Sequence, residues 1–306
     1  MSRPRRQNIN KYGVIFCIPF ILFFVLFNLV PMIFSVVISF TNWDGMTMDF
    51  IGIQNYQRLL QDANFWKSIQ NSFVLLVLIS TPLTMIFCLL LTYFVSFKLK
   101  RLARPVQVIS LIPYFTSTIA VGAIFSFLFN KNIGIVNSVL VNLGILESPT
   151  IEWLGDPMMA RVIVILINQW TYVGYTSIFF ITGMASISDE IIEAAVIDGA
   201  KEFRIFWSIC LPMMKKITYF VILTSVIGAF QQLEQEFMMF TGGIFGSNYP
   251  VGGPDASCLT MGLNFYSTSF ISLQYGYGAS IGMANAVIIG VSSVILNAVM
   301  KRSDNA

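Results

Sequence analysis

The chain alternates long apolar stretches with shorter polar ones. Six apolar stretches stand out, at about residues 14–40, 69–97, 105–129, 159–185, 217–240 and 277–300. Each has at least the ~20 residues that a helix needs to cross the hydrocarbon core of a bilayer. The pattern predicts one all-α integral membrane domain over residues 1–306, with six transmembrane helices. Between the first two, residues 41–67 mix polar and aromatic side chains, which predicts a short amphipathic helix at the membrane interface.

Composition supports a membrane protein and argues against several other classes. The 306 residues are 56% hydrophobic and 11% charged, whereas soluble domains carry about 25% charged residues. The net charge of +3 is too small to suggest a nucleic-acid partner. The chain has no histidine, and its four cysteines show no paired spacing, which argues against a metal site or a disulfide framework. The first apolar run exceeds the ~7–15 residues of a signal-peptide core, so we interpret it as an uncleaved helix.

The distribution of basic residues predicts the orientation of the helices. If both termini are cytoplasmic, 14 of the 18 Lys and Arg residues fall on the cytoplasmic side. The acidic residues show no matching excess, with six inside and seven outside. An excess of Lys and Arg alone is the signature of cytoplasmic loops. We therefore expect both termini in the cytoplasm.

The longest polar interruption on the predicted cytoplasmic side is Glu193–Pro212. Ser188 is suited to cap a helix before it, and Gly199 is suited to end that helix in a left-handed conformation. A second short helix is predicted over Lys201–Leu211, with Pro212 ending or kinking it. Two short helices around a glycine form a compact projection that could fit a pocket on another protein. The alternative is an ordinary helical hairpin that links two spans.

The same segment closely resembles the EAA motif of permease subunits of binding-protein-dependent ABC importers. The residues that carry the resemblance are Glu193, Ala194, Ala195, Asp198, Gly199 and Ala200, followed by Ile209, Leu211 and Pro212. In that family the segment, here 188–212, is the cytoplasmic coupling helix that docks in a cleft of an ATPase. The resemblance extends to Asn42-Trp43-Asp44, Gly52-Ile53-Gln54-Asn55-Tyr56 and Thr241-Gly242-Gly243, and it is greatest for the carbohydrate-uptake branch, which includes the maltose permease subunits.

The resemblance implies a set of partners and a mechanism. Six helices form half of a pore in this family, so a second, homologous permease subunit is expected. Two cytoplasmic ATPase subunits would hold ATP and Mg, because this chain has no P-loop and is expected to carry no cofactor and no enzymatic activity. An extracellular or periplasmic solute-binding protein would deliver a sugar or oligosaccharide for transport by alternating access. The resemblance implies that the chain lies in the lipid of a bacterial or archaeal cell membrane and crosses it several times.

Two glutamates interrupt the predicted fifth span. On a continuous helix, Gln231 and Glu234 would share one face, and Glu236 would lie on an adjoining face. A polar face inside a span indicates a water-filled cavity or a partner helix. We favour a cavity for Gln231 and Glu234, where their groups could bind sugar hydroxyls, and a contact between helices for Glu236.

The predicted fourth span also carries polar and aromatic residues at helical spacing: Asn168, Thr171, Tyr172 and Tyr175. Aromatic faces can stack on sugar rings, although an aromatic belt at the outer interface would give a similar pattern. Maltose-type permeases line their sugar site from these two helices. By resemblance, the four residues here, with Gln231 and Glu234, occupy the matching positions.

Two other classes of protein remain open from the residues alone. A secondary transporter could use Glu234 or Glu236 to carry a coupling proton, but the chain shows no inverted repeat. A membrane enzyme would need an acid–base constellation, which the loops lack. The glycine-rich external loop from Thr241 to Pro254 is either the place where the binding protein docks, as in the family, or a flexible connector.

Overall fold

The computed structural model describes residues 9–241 and 249–304, with all side chains in these ranges except those of residues 9–14, 100 and 302–304. Within these ranges the chain is helical apart from one small hairpin and the loops. The first helix, α1, covers residues 9–38 and widens to a π-helical turn at Val25–Leu29. From Ile15 to Ile38 its side chains are almost all exposed, as expected of a helix that faces lipid or another subunit.

A hairpin follows α1 where the sequence predicted helix. Strands β1 (Thr41–Trp43) and β2 (Met48–Phe50) pair antiparallel, with Thr41 opposite Phe50. At the turn, the backbone N–H groups of Thr47 and Met46 donate to the Asp44 carboxylate and hold its pKa below the usual value. The prediction of one amphipathic helix over 41–67 is therefore wrong for its first part, because this turn suits a hairpin. Helix α2 (Gln54–Gln61) forms the rest, and the next helix begins at Ala63.

Seven helices occupy the chain from residue 63 to residue 213. They are α3 (Ala63–Lys98, with π-helical turns at Asn71–Ser80 and Phe94–Lys98), α4 (Ala103–Phe115), α5 (Thr118–Leu128), α6 (Ile135–Asn142), α7 (Pro157–Ala185), α8 (Asp189–Ile197) and α9 (202–213). Short 3₁₀ turns are found at Lys100–Leu102 and Pro254–Ala256. The remaining helices are α10 (Lys215–Gln231), α11 (Glu234–Thr241), α12 (261–271) and α13 (Tyr275–Asp304).

Five helical segments of the described chain are long and apolar enough to cross a membrane: Ile15–Ile38, Ala63–Lys98, Pro157–Ala185, Lys215–Thr241 and Tyr275–Lys301. A sixth is obtained if α4 and α5 together form one span. The third span, predicted over 105–129, stays a prediction, but it is not one continuous helix, because α4 and α5 meet at an angle of 90°. Between the two helices Thr116 and Ser117 have extended backbone, and Thr116 follows Pro113 by three residues.

The fifth span is also interrupted. Gln232 is extended (φ −63°, ψ 131°), so α10 ends at Gln231 and α11 begins at Glu234. The prediction that Gln231 and Glu234 share a helical face is wrong, because helical periodicity does not continue through an extended residue. Side chains satisfy backbone groups that the break frees, as the interior of a membrane protein requires. Asn285 Nδ2 donates to the carbonyl of Phe230 at 3.0 Å, and the hydroxyl of Thr260 donates to that of Gln232 at 2.5 Å.

The two shortened helices that follow these breaks pack against each other. At Gly122 of α5, a Cβ atom would lie 2.6 Å from the carbonyl oxygen of Gln235 in α11, so only glycine allows this approach. Val121 of α5 and Met239 of α11 are buried in one cluster with Ile163 and Ile167 of α7. The long helix α7 therefore supports both breaks from one side.

Candidate functional site

A cavity of about 270 Å³ lies among α3, α4, α7 and α10. Its polar lining consists of hydroxyl and amide side chains: Ser80, Thr81, Thr84, Asn168, Thr176, Thr224, Ser225 and Gln232. Its aromatic lining consists of Tyr114, Tyr172, Tyr175, Phe179 and Phe220. No charged side chain is found among the described residues that line it. The cavity therefore offers hydrogen-bonding groups and aromatic surface, but no charge, to whatever occupies it.

Three tyrosines form the aromatic wall. The rings of Tyr114 and Tyr175 stack with centroids 3.9 Å apart and planes 6° from parallel, and Tyr172 meets Tyr114 edge-on at 6.2 Å. The close approach of α4 to α7 depends on Gly174, where a Cβ atom would collide with the backbone of Ser110. Sequence reasoning selected Tyr172 and Tyr175 but missed Tyr114. A tyrosine beside a proline in an apolar stretch carries no distinguishing signal.

The polar residues predicted in the fourth span divide into two groups. Asn168 lines the cavity and is buried, and its Nδ2 donates to the Val164 carbonyl of the preceding turn at 3.0 Å. Its side-chain oxygen and the second hydrogen of its amide are the groups that it can offer to a ligand. Thr171 is also buried, but it accepts a hydrogen bond from Gln235 Nε2 at 3.1 Å and does not line the cavity. Thr171 connects α7 to α11.

The residues predicted in the fifth span lie elsewhere. Gln231 and Glu234 are exposed and do not line the cavity, whereas Gln232 between them does. Glu234 begins α11 and accepts a hydrogen bond from the hydroxyl of Thr118, which begins α5. This contact joins the two breaks. Glu236, predicted to make a contact between helices, is 1% exposed and accepts from Gln232 Nε2 at 2.6 Å.

The predicted coupling segment has the turn that its glycine indicated. Gly199 has φ +80°. The N–H of Ala200 donates to the carbonyl of Ala195, and the N–H of Gly199 donates to that of Val196, both at 3.0 Å. This pair of bonds is a Schellman motif, so the left-handed helix end is confirmed. Ser188 occupies the capping position before α8, but its side chain makes no capping hydrogen bond.

The base of the segment is buried and its tip is exposed. Ile205, Phe206 and Cys210 of α9 have no exposed surface and pack with residues of α3 and α7. At the other end, Val196, Ile197 and Phe203 are exposed, Ile197 by 84%. Of the six motif residues, Ala195 is buried, Ala200 is half-buried, and the others are exposed: Glu193, Ala194, Asp198 and Gly199. The segment is thus an exposed apolar surface on a firmly packed base.

Additional contacts join this segment to the end of α3. Lys98 forms an ion pair with Glu202, and the ring of Tyr93 meets that of Phe206 at 5.6 Å. These contacts connect the segment to α3, whose middle part lines the cavity.

Part of the predicted glycine-rich loop lies within the described chain. Residues 242–248 lie outside the described part of the chain, so the prediction for Thr241–Pro254 applies here only to its ends. Tyr249 donates to Glu152 at 3.1 Å. Burial, together with this hydrogen bond, raises the pKa of Tyr249 to about 12.

Comparison with known proteins identifies the class. The profile of the family described as "Binding-protein-dependent transport system inner membrane component" matches residues 88–306. The chain therefore belongs to this family of membrane-spanning permease subunits of ABC transporters, which are not enzymes themselves.

Two curated relatives are similar over nearly the whole chain. The multiple sugar-binding transport system permease protein MsmF of Streptococcus mutans is 33% identical, over 95% of this chain and 96% of its own. The lactose transport system permease protein LacF of Rhizobium radiobacter is 30% identical, over 96% of this chain and 97% of its own.

A solved structure has the same fold. It is a chain of a bacterial alginate ABC transporter in complex with an alginate pentasaccharide-bound periplasmic protein, with a TM-score of 0.80, 21% identity and 98% of both chains covered. The family assignment decides against a secondary transporter and against a membrane enzyme.

Proposed function

We propose that this chain forms one half of the path through which an ABC importer moves a neutral sugar or oligosaccharide. The observation that carries the proposal is the uncharged cavity lined by tyrosines, hydroxyls and amides. Sugars present apolar ring faces and many hydroxyl groups, and such a lining matches both. The printed names of the relatives, which include lactose and multiple sugars, agree with this substrate class.

Three of the predicted contacts are well placed for this role. Tyr172 and Tyr175, with Tyr114, supply the aromatic surface for a sugar ring, and Asn168 supplies an acceptor for a hydroxyl. The role of Thr171, Gln231 and Glu234 as sugar ligands stays a prediction. At about 270 Å³ the cavity lies just below the range of about 300–1,000 Å³ typical of small-molecule sites. This size suits a half-site that a second, homologous permease subunit completes.

The coupling role rests on the projection formed by α8 and α9. Its exposed apolar tip, Val196, Ile197 and Phe203, suits a cleft on a cytoplasmic ATPase, and its base packs on α3 and α7. Two such ATPase subunits would bind ATP and Mg, and this chain would bind no cofactor of its own. An external or periplasmic binding protein would deliver the sugar on the other side. Both termini would be cytoplasmic, in a bacterial or archaeal cell membrane.

The test uses the complete importer, co-expressed with its binding protein and reconstituted in proteoliposomes. Uptake is measured for radiolabelled lactose, raffinose and arabinobiose, and for an acidic alginate disaccharide. We expect ATP-dependent uptake of at least one neutral sugar and none of the acidic one. Uptake of the acidic sugar alone, or of no member of the panel, would contradict the proposal.

A variant then connects uptake to the cavity. Loss of the Tyr175 ring removes both the stack on Tyr114 and the surface offered to the sugar. Tyr175→Ala should therefore lower maximal uptake about fivefold, since one stacking contact is worth about 1 kcal/mol. Tyr219→Ala is the matched control, since Tyr219 is also half-buried in a span but does not line the cavity. Equal effects of the two variants would remove the cavity from the proposal.

A further inference from the structure

The interrupted fifth span places Gln232 at the wall of the cavity. Its backbone is fixed on both sides, since its carbonyl accepts from Thr260 and the next helix begins two residues later. Gly262 permits this arrangement, because a Cβ atom there would lie 2.7 Å from the Gln232 carbonyl oxygen. An extended residue anchored in this way presents its side chain in a direction that a continuous helix could not.

The side chain of Gln232 is held by two buried neighbours. Its Nε2 donates to Glu236 Oε1 at 2.6 Å and lies 3.3 Å from Gln235 Oε1. Gln235 in turn donates to Thr171 at 3.1 Å. Glu236 and Gln235 are 1% and 4% exposed, so these bonds lie in an environment where hydrogen bonds are strong. The chain of bonds determines the orientation of the Gln232 amide.

Oε1 of Glu236 accepts the hydrogen bond from Gln232, so the NH₂ end of the Gln232 amide faces Glu236. Both hydrogens of that group are then directed at Glu236 and Gln235. The remaining polar atom, the amide oxygen, is the one that Gln232 can offer to the cavity. A primary amide oxygen accepts hydrogen bonds and cannot donate them.

We infer that Gln232 is a sugar-contacting residue that accepts a hydrogen bond from one substrate hydroxyl, and that Glu236 is the positioning residue that orients its amide. The inference rests on the proposed function, because it assigns a ligand to the same cavity. It gives the buried Glu236 a role in selectivity. The sugar contact of the fifth span would then come from one extended residue, Gln232, and not from a continuous helical face.

The recognition of a donor gives a specific experiment. A hydroxyl replaced by fluorine can no longer donate, so a series of monodeoxyfluoro derivatives of the fastest panel sugar locates the hydroxyl that Gln232 accepts. Uptake into proteoliposomes is compared between the wild-type importer and Gln232→Ala with the same binding protein, whose own selectivity therefore cancels. We expect the wild type to take up one derivative about tenfold more slowly than the parent sugar. Gln232→Ala should lose that discrimination and should take up the parent sugar about tenfold more slowly than the wild type does. A factor of about ten corresponds to the loss of one hydrogen bond.

Further variants separate positioning from packing. Gln232→Met keeps the volume of the side chain but lacks the acceptor. It should lose discrimination as Gln232→Ala does, which would show that the effect does not come from a smaller side chain that destabilises the break. Glu236→Ala should lose most of the discrimination, because only the longer bond to Gln235 would then hold the amide. Glu236→Gln still offers an acceptor to Gln232 and should retain part of the discrimination. A purely structural glutamate would lower thermal stability in both variants and leave discrimination unchanged.

The outcomes distinguish this inference from the proposal on which it depends. No uptake of any panel sugar by the wild type overturns the proposed function. Uptake by the wild type with unchanged discrimination in Gln232→Ala and Gln232→Met overturns the inference alone. A larger loss of discrimination in Gln231→Ala than in Gln232→Ala would also overturn it and restore the sugar contact to the neighbouring residue.

Discussion

At the scale of single residues, two glycines show how the same backbone conformation can have different consequences. Gly199 in the proposed coupling segment and Gly144 in the loop after α6 have φ of +80° and +71°. A Cβ atom at either position would meet nothing within 4 Å. A substitution at either glycine therefore strains only the backbone, by about 1–2 kcal/mol.

We expect Gly199→Val to uncouple transport from ATP hydrolysis, while Gly144→Val leaves transport unchanged. The strained turn would displace Val196 and Ile197 from the surface that we propose for ATPase docking. The measurement is ATP hydrolysis and sugar uptake by the same proteoliposomes, with complex yield as the control for assembly. Normal coupling in Gly199→Val would show that the turn is only a linker.

A second residue-scale prediction concerns Glu234, whose contact with Thr118 favours a role between helices. We expect Glu234→Ala and Thr118→Val each to lower the melting temperature of the purified complex by a few degrees, and the double variant to lower it no further, because both remove the same bond. Uptake per assembled complex should stay close to the wild-type value. A large loss of uptake with normal stability would instead favour the role predicted from sequence, a sugar ligand.

At the scale of elements, the two interrupted spans are joined by the packing of α5 on α11. The carbonyl of Gln235 approaches Gly122 so closely that one added carbon would force the helices apart. The breaks are therefore held by backbone contact as well as by side chains. Where α5 lies decides where α11 begins, and thus where Gln232 meets the cavity.

We expect Gly122→Ala to lower the stability of the chain by about 1–3 kcal/mol through overpacking. Gly290→Ala in α13 is the control, because a Cβ atom there would meet nothing within 4 Å and alanine favours helix. Thermal unfolding of both variants in detergent provides the comparison. Equal melting temperatures for Gly122→Ala and the wild type would show that α5 and α11 can separate at no cost.

At the scale of the whole molecule, the proposed orientation depends on the number of crossings and on the distribution of Lys and Arg. An even number of crossings places both termini on one side, and the excess of Lys and Arg indicates that this side is the cytoplasm. The described structure contains five helices that can cross alone and one bent pair that can provide the sixth crossing. Were α4 and α5 to enter and leave on the same side, the count would be five and the termini would lie on opposite sides.

Cysteine labelling separates the two topologies. In a background without Cys17, Cys88, Cys210 and Cys258, we expect Ser148→Cys to react with a membrane-impermeant thiol reagent in intact cells and Arg101→Cys to react only after permeabilisation. Both positions are exposed, so access to the reagent depends on their side of the membrane. Reaction at both positions in intact cells would place the loops on either side of α4 and α5 outside, and would favour a re-entrant pair.

The sequence by itself determined the class of the protein and the form of the proposed coupling segment. Hydrophobic run lengths are set by the thickness of the bilayer, so five of the six predicted spans overlap with helical segments that are long and apolar enough to cross it. The turn at Gly199 is likewise local, since its two hydrogen bonds close within six residues, 195–200. The four-residue set in the fourth span was partly informative, because α7 is a continuous helix and its periodicity could be used.

The fifth span shows what only the tertiary structure decided. Its break depends on Thr260, Gly262 and Asn285, which are distant in sequence, and no local pattern around Gln231 and Glu234 reveals that helical periodicity stops between them. The break turns Gln232 to the cavity and leaves Gln231 and Glu234 exposed. Tyr114 lines the cavity because the close contact of Gly174 with Ser110 packs α4 against α7. Local periodicity identifies a site residue only where the helix is continuous, whereas at a break the neighbouring helices determine which side chain enters the cavity.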